Sequence, residues 1–386
     1  MWDFSAYYWA AKASIAGLDP YSVHDVSGIA GQEIFPYLYP PLVTRLFYPL
    51  ALLPPVFARL VYIGLQYLSL CLSFLIWKDI IRYSGVKVDA SRDFFAFRLL
   101  VLCFAFNAAL ILNLRAGQVS IFENLFLWAS VIAIIRSKYA LFSVTVVLAA
   151  LVKFTPVGLA LFALIDKRQS VRNRVLNVVS TLSLFFLVQA FQLLFFGSEW
   201  DSFRAALSYL SPEFASSLPA EAWRLAPSAL QVLLSIEPLN GGLMTALSLN
   251  SAHLIYALVL CLGLCAMVLI CVFKPLRHGT QFQNVIVLLL TISIVVCIAP
   301  RIRDYSYIIM IFPFMFSAIY TRLGCIVLLM LSMIIPYLGW LPGLGSFGLS
   351  LREFSSYYLS LFTVIALACS LIFETPRLTA ESKNAD

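Results

Sequence analysis

A small set of charged and amide side chains lies beside long apolar stretches, where such groups are costly and therefore candidates for chemistry. Arginine offers paired donors to phosphate oxygens and lysine a compact positive charge. A nearby carboxylate can take a proton from an attacking hydroxyl. Together these residue types predict transfer of a group from a phosphate-linked lipid to an alcohol. The set comprises Asp3, Arg115, Gln118, Glu123, Lys153, Arg301, Arg303 and Asp304.

Each of these residues also has a purely structural interpretation. Asp3 stands where a helix begins, as a capping residue does. Arg115 could reach lipid headgroups, and Lys153 could belong to a structural ion pair. Glu123 could bind backbone or the neighbouring arginine, and the charges of 301–304 could form an internal salt-bridge cluster or an interfacial anchor. The types and spacing alone leave these alternatives open.

The elements that position these residues are membrane helices. Of the 386 residues, 62% are hydrophobic and 12% are charged, about half the charged fraction of a soluble domain. Soluble enzymes, disordered chains and disulfide-stapled secreted domains are excluded, and a transmembrane barrel would show short alternating strands instead of continuous apolar runs. The sequence predicts an all-α, polytopic membrane protein of about eleven membrane helices, some short or re-entrant.

The apolar runs define candidate spans, and the basic residues between them define an orientation. Most of the 26 basic residues fall in short connections, which predicts a cytoplasmic side for those loops. The pair 139–152 and 155–165 is expected to form a helical hairpin around Lys153. The predicted spans are 56–77, 99–113, 119–135, 139–152, 155–165, 172–196, 252–273, 280–298, 306–321, 323–340 and 357–374.

This orientation places the longer polar segments outside the cytoplasm, within a single domain spanning 1–386. Residues 1–40 form the first external loop and 197–251 the second. The pattern of 4–16 predicts an amphipathic helix in the plane of the interface, ended by Gly17. YLYPP at 37–41 predicts a rigid turn with an interfacial aromatic anchor. An external start with no helix before it leads us to expect a further helix upstream of Met1.

The sequence predicts neither a metal site nor a cofactor. The eight cysteines lie in or beside apolar runs without a CxxC pair, as packing residues do. The three histidines, His24, His253 and His278, lack metal-ligand spacing. No glycine-rich phosphate loop is present. The net charge of +7 is interpreted as membrane topology and not as nucleic-acid binding.

Four segments resemble glycosyltransferase family 87, of the GT-C class of integral membrane glycosyltransferases. WDFSAYYWAAKASIAGLDPY followed by FPYLYPPLVTRLFYPLALLP is similar to the first external loop of that family. RAGQVSIFENLFLWAS is similar to its Gly-Gln segment, and LVKFTPVGLALFALIDKR to its Lys-x-x-Pro helix. IAPRIRDYSYIIMIFPF resembles its late Pro-containing motif. The matches are collinear over most of residues 2–320, but 225–234 lacks an expected Asn-Gln-Ser.

The resemblance implies transfer of a hexose, often mannose, from a polyprenyl-phosphate donor, with inversion, on the extracytoplasmic face of a membrane. The expected setting is the bacterial cytoplasmic (inner) membrane, and the expected acceptor is a glycolipid or glycan. The base carried over from the family is Asp3. Donor phosphate binding is expected from Arg115, Lys153, Arg301 and Arg303. Substrate contacts are expected from Tyr7, Tyr8, Gln118, Glu123, Asp304 and Tyr305.

Two other classes of membrane protein compete with this interpretation. A transporter or flippase of lipid-linked saccharides also needs outward cations and interfacial aromatics, but it should carry polar groups in both halves of the bundle. An O-antigen-type ligase or polymerase should have a large external loop rich in Arg and His. Residues 197–251 contain two Arg and no His, which counts against this class.

Overall fold

A computed structural model describes residues 1–85, 92–153, 155–207, 281–298 and 304–320, with a few isolated positions between 258 and 367. These residues form α-helices and short 3-10 helices, which confirms the predicted all-α class. The predicted spans 252–273, 323–340 and 357–374 lie wholly or largely outside the described residues. So do Arg301, Arg303 and most of the 197–251 loop.

Residues 1–54, here called the first segment, fold into four short helices with clear local causes. Gly17, at φ 76°, follows the first helix and turns the chain in a conformation that suits glycine. Ser22 caps the second helix by accepting from the backbone N–H of Asp25 at 3.2 Å. Pro41 begins the third helix, where its missing N–H is harmless. The helices are α1 (Trp2–Ile15), α2 (Val23–Ala30), α3 (Pro41–Leu46) and α4 (Tyr48–Ala51).

The helix predicted for residues 4–16 is present as α1, but the prediction that it is amphipathic is wrong, and its location in the plane of the interface stays a prediction. α1 is buried on most of its circumference and has no single apolar face. It packs against α2, α3 and α4, and its alanines allow those neighbours to approach closely. Its large side chains enter an aromatic cluster that includes Tyr37, so the 37–41 turn also faces inward. The buried residues of α1 are Phe4, Ala6, Tyr7, Tyr8, Ala10, Ala11 and Ala13.

Among the described residues, two helices are long and apolar enough to cross a membrane. α5 (Pro55–Tyr83) and α10 (Val171–Phe195) have 29 and 25 residues, about 43 and 37 Å at 1.5 Å per residue. Much of their surface is exposed leucine, valine and phenylalanine, as lipid-facing helices require. A third span results if one bent pair of helices counts as one crossing, so eleven crossings are not established by the described residues.

That bent pair consists of α6 (Arg92–Ala116) and α7 (Ser120–Ile135), which form an angle of 117° at their junction. Gly117 lies in the junction at φ 74°. α8 (Tyr139–Val152) returns along α7, and the chain becomes extended at Lys153. A 3-10 helix at 155–161 then packs against α8 and continues into α9 (Phe162–Ile165). This arrangement agrees with the hairpin predicted for 139–165, although its second arm is mostly 3-10.

The described residues group into two compact units. The first comprises Met1–Lys78, Leu112–Ala163 and Arg172–Pro219, and it includes α11 (Gly197–Leu207). The second includes α12 (Gln281–Ile298), a 3-10 helix at 304–310 and α13 (Ile311–Tyr320). Within the second unit, the ring of Phe106 stacks on that of Tyr307 with centroids 5.9 Å apart.

Within the first unit, a clamp formed by Arg45, Glu199 and Ser14 joins α11 to the first segment. Arg45 Nη2 donates to Glu199 Oε1 at 2.5 Å, and its Nη1 donates to Ser14 Oγ at 3.1 Å. Ser14 Oγ also donates to Glu199 Oε1 at 2.8 Å. The guanidinium lies over the rings of Tyr48 and Phe196, at 4.8 Å from each centroid. The clamp therefore holds α11, with which the predicted second external loop begins, against the first segment.

Replacing Glu199 by Gln is expected to loosen α11. Arg45 and Glu199 are 29% and 18% exposed, so the substitution leaves a largely buried guanidinium without its carboxylate. A hydrogen bond to a charged group contributes about 2 kcal/mol. The variant should therefore unfold in detergent at a lower temperature than wild type, and residues 197–207 should be cleaved faster by proteases. Glu33→Gln, at an exposed position, is the control. Equal behaviour of the two variants would contradict a stabilising clamp.

Candidate active site

Asp3 lies in the first turn of α1 and does not cap it. Met1 occupies the N-cap position, and no side chain provides a capping hydrogen bond, so the capping interpretation of Asp3 is wrong. Its Oδ2 accepts a hydrogen bond from Gln118 Nε2 at 2.5 Å, across 115 positions of sequence. The residue is partly exposed, and the positive end of the α1 dipole favours its ionised form. A carboxylate is thus held at a helix start that solvent can reach.

The partner of Asp3 belongs to the sharp junction between α6 and α7. Tyr62 donates to the carbonyl of Gly117 at 3.0 Å, and Gln66 donates to the carbonyl of Gln118 at 3.0 Å. Both donors lie on α5, so this helix fixes the backbone of the junction. A Cβ on Gly117 would lie 2.7 Å from Phe4 Cβ. Glycine therefore allows the start of α1 to approach Gln118.

The two tyrosines predicted to contact substrate are almost completely buried. Tyr7 donates to Gln118 Oε1 at 3.2 Å and lies 3.2 Å from the hydroxyl of Tyr39. Tyr8 donates to the carbonyl of Leu53 at 2.8 Å. They are 2% and 1% exposed, which argues against direct substrate contact by either one in this conformation. Burial, and then the neighbouring Tyr39 and Asp3, raise the pKa of Tyr7 well above its ordinary value.

Lys153 forms a second polar group beside the same junction. It lies just after α8, where the backbone is extended, and its Nζ donates to Ser120 Oγ at 2.7 Å. The Nζ also lies 3.0 Å from Glu123 Oε2, as an ion pair and not an aligned hydrogen bond. Glu123 is 6% exposed, and its ion-pair partner is Lys153, whereas the sequence left backbone or Arg115 open as partners. The ion-pair interpretation of Lys153 thus matches the structure, and a quarter of its side chain remains exposed.

Both polar groups depend on one short stretch of chain. Gln118 binds Asp3, and Ser120 binds Lys153. These two residues are two positions apart, so their Cα atoms lie within about 7 Å of each other. The junction of α6 and α7 therefore holds the carboxylate of Asp3 through Gln118 and the ammonium group of Lys153 through Ser120.

Two arginines add positive charge near the start of α1, where Asp3 lies. The pKa of the Met1 amino group is lowered by burial first and then by Arg59, while Asp3 raises it and Arg115 lowers it further. The Met1 amino group is therefore within electrostatic range of both guanidinium groups and of the Asp3 carboxylate. Both arginines are exposed and can reach an incoming anion. Arg59 was not identified from the sequence, although a lone arginine at the start of an apolar run was an available signal.

The contacts described above do not include the remaining residues that were named from the sequence. Arg301 and Arg303 lie outside the described residues, as do His253 and His278. Asp304 and Tyr305 begin a 3-10 helix in the second unit. His24 is 98% exposed and lies 3.4 Å from Asp25. In the part of the chain that is described, no three His, Cys, Asp or Glu residues are grouped as a metal site would require.

The first unit thus offers a partly exposed carboxylate, nearby arginines and a partly exposed lysine. This combination suits proton removal from a hydroxyl beside a bound anion.

A model of glycosyltransferase family 87 matches residues 37–300, which is more than half of the chain and includes Gln118 and Lys153 but not Asp3. No curated protein and no solved structure matches the chain. The chain belongs to glycosyltransferase family 87, and it is a glycosyltransferase with helices able to span a membrane.

Proposed function

We propose that the protein transfers a hexose, with mannose as the first candidate, from a polyprenyl-phosphate donor to a hydroxyl of a glycolipid or glycan. The reaction takes place on the extracytoplasmic face of a bacterial inner membrane and inverts the anomeric carbon. The observation that carries the proposal is the placement of Asp3 on Gln118 with arginines nearby. Long apolar helices in the same unit support a donor that resides in lipid.

The reaction is a single displacement. Asp3 accepts the proton of the acceptor hydroxyl while the oxygen attacks the anomeric carbon of the donor sugar. The bond between that carbon and the phosphate oxygen breaks, and polyprenyl phosphate leaves with its electron pair. One attack from the side opposite the leaving group inverts the anomeric carbon, and the proton remains on Asp3 until solvent removes it.

The leaving phosphate develops negative charge, and cations near Asp3 would stabilise it. Arg115 and Arg59 supply planar guanidinium groups suited to phosphate oxygens. Lys153 adds a charge that Glu123 partly offsets. Arg301 and Arg303 remain donor candidates from the sequence alone. Tyr7, Tyr8, Gln118, Glu123, Asp304 and Tyr305 were predicted as substrate contacts, and the buried members of that group act on the site indirectly.

The test is donor dependence in sealed proteoliposomes that contain the purified protein and a lipid-and-glycan extract as the source of acceptor. Radiolabelled polyprenyl-phosphate mannose, polyprenyl-phosphate glucose and a nucleotide-linked mannose are supplied separately. Label should pass from a polyprenyl-phosphate donor into a new product, with release of polyprenyl phosphate. Use of the nucleotide donor alone would contradict the proposed donor class. Movement of donor across the bilayer without consumption would instead indicate a flippase.

Lys153→Met should raise the KM for the polyprenyl-phosphate donor about tenfold, since one cation is lost from the phosphate environment. The same change leaves Glu123 buried without its lysine, so stability falls too. The double variant Lys153→Met/Glu123→Gln removes this second effect, because no unpaired carboxylate remains. A donor KM that stays high in the double variant supports phosphate binding. Recovery of the wild-type KM would mean that Lys153 serves only the ion pair.

A further inference from the structure

We propose that Gln118 is a positioning residue for the base and that Tyr7 determines which end of its amide faces Asp3. The inference rests on the proposed function of Asp3 as general base. It reassigns Gln118 and Tyr7 from substrate contact to orientation of a carboxylate. The supporting contacts all lie within the first compact unit.

The donor and acceptor roles in this group permit one arrangement. An ionised carboxylate accepts hydrogen bonds and cannot donate them, so the amide nitrogen of Gln118 must face Asp3 Oδ2. The amide oxygen then faces Tyr7, whose hydroxyl must donate to it. The same hydroxyl is also placed to donate to the Tyr39 hydroxyl at 3.2 Å, so its single proton is shared between the two acceptors. Tyr7, by donating to the amide oxygen, thus selects the amide orientation that presents a donor to Asp3.

The aromatic surroundings keep Tyr7 in this role. Its ring meets that of Tyr39 edge to face, with centroids 5.1 Å apart and planes at 89°. The ring of Phe47 lies at a centroid distance of 5.1 Å. Since burial raises the pKa of Tyr7, its hydroxyl remains protonated through the range in which an enzyme works. It is therefore a permanent donor to Gln118.

The backbone around Gln118 is held independently of its side chain. Gln66 binds the carbonyl of Gln118, and Tyr62 binds the adjacent carbonyl of Gly117. Gln118 is 2% exposed, so little of its side chain is available to a substrate in this conformation. Because the backbone and the side-chain amide of Gln118 are both fixed, the hydrogen bond from the amide also fixes the position of the partly exposed Asp3 carboxylate. The chemistry is then performed by Asp3, and Gln118 acts through it.

The experiment compares Gln118→Leu, Gln118→Glu and Tyr7→Phe with wild type. Loss of the donor disfavours the ionised carboxylate, so the acidic limb of the kcat profile should move upward in pH. A shift of about one unit is expected, since a charged hydrogen bond and one unit of pKa are similar in size. In Gln118→Leu, kcat should also fall about 10- to 100-fold from misplacement of the base. Gln118→Glu should shift the limb further, because two carboxylates then face each other.

Tyr7→Phe should produce a smaller change in the same direction, because the amide keeps its donor but loses the group that orients it. Gln192→Leu is the matched control. Gln192 is also fully buried, and its Oε1 accepts from the backbone N–H of Leu42 at 3.0 Å. This variant removes a buried amide without touching the junction of α6 and α7. It should leave the pH profile unchanged, whatever it does to stability.

Infrared titration of the Asp3 carboxylate, assigned by difference against Asp3→Asn, provides a measurement that needs no turnover. An upward shift in Gln118→Leu, absent in Gln192→Leu, supports the inference even if the donor class is wrong. An unshifted titration in a folded Gln118→Leu protein overturns it, while transfer that depends on Asp3 would leave the proposed function intact. A rise in KM for donor or acceptor with an unshifted titration would return Gln118 to substrate binding.

Discussion

Asp3→Asn should reduce sugar transfer about 100- to 10,000-fold, the contribution expected of a general base. Asparagine has nearly the same shape as aspartate, and its amide oxygen can still accept from Gln118 Nε2. The contact that orders the start of α1 is therefore retained, while the group that takes the proton is lost. The loss should appear in kcat measured at saturating polyprenyl-phosphate donor, with membrane insertion and thermal unfolding close to wild type.

The control for this experiment is Asp25→Asn. Asp25 is another carboxylate of the first segment, on α2, and its recorded partner is the exposed His24. If activity were lost only because the first segment has one negative charge fewer, both variants would lose activity. Full activity in Asp25→Asn with none in Asp3→Asn assigns the base. Wild-type turnover in Asp3→Asn would contradict the assignment and direct attention to Glu123 or Asp304.

Helix positions in this protein could be predicted wherever charge marks the end of an apolar run. Residues 139–152 were predicted as a span and are α8, because Lys138 and Lys153 flank continuous apolar sequence. α5 extends six residues beyond the predicted end at 77. The hydropathy pattern marks the lipid-compatible part of a helix, whereas a helix can continue through Lys78 and Arg82 into the polar region.

The orientation of α1 could not be predicted from periodicity. Its alanines and aromatics repeat in a way that fits an amphipathic helix, but α2, α3 and α4 cover it on several sides. Whether a helix face meets lipid, water or protein depends on neighbours that are distant in sequence. The same limit applies to Tyr7, which was expected to contact substrate and is buried against Phe47 and Tyr39.

The residues of the candidate site could be named from the sequence, but the contacts between them could not. Asp3, Gln118, Glu123 and Lys153 were identified because polar groups beside apolar runs are costly. The bond from Asp3 to Gln118 crosses 115 positions, and no local pattern encodes it. Supporting groups such as Ser120, Gln66 and Tyr62 were missed because they are ordinary residues of apolar helices. Their importance lies in what they touch.

Gly117→Ala is expected to damage both stability and transfer, because two separate requirements meet at this residue. Its φ of 74° is a conformation that costs an L-residue about 1 kcal/mol or more. The added Cβ would also lie 2.7 Å from Phe4 Cβ, an atom fixed to the backbone of α1. The start of α1 must then move, and Asp3 moves with it. A displacement of about 1 Å at a catalytic group can cost 100-fold in rate, so kcat should fall by about that factor.

Two other glycines separate the causes of this effect. Gly85 has φ 74° as well, but a Cβ there would meet nothing within 4 Å, so Gly85→Ala reports the backbone cost alone. Gly64, within α5, has open space and no positive φ, and alanine there should be neutral or stabilising. The thermal unfolding temperature and kcat are measured for the three alanine variants, to separate the backbone cost from the displacement of α1. If Gly117→Ala lost no more activity than Gly85→Ala, the close approach of α1 to Gln118 would not control Asp3. A selective loss of kcat would show that a position without any functional group sets the geometry of the base.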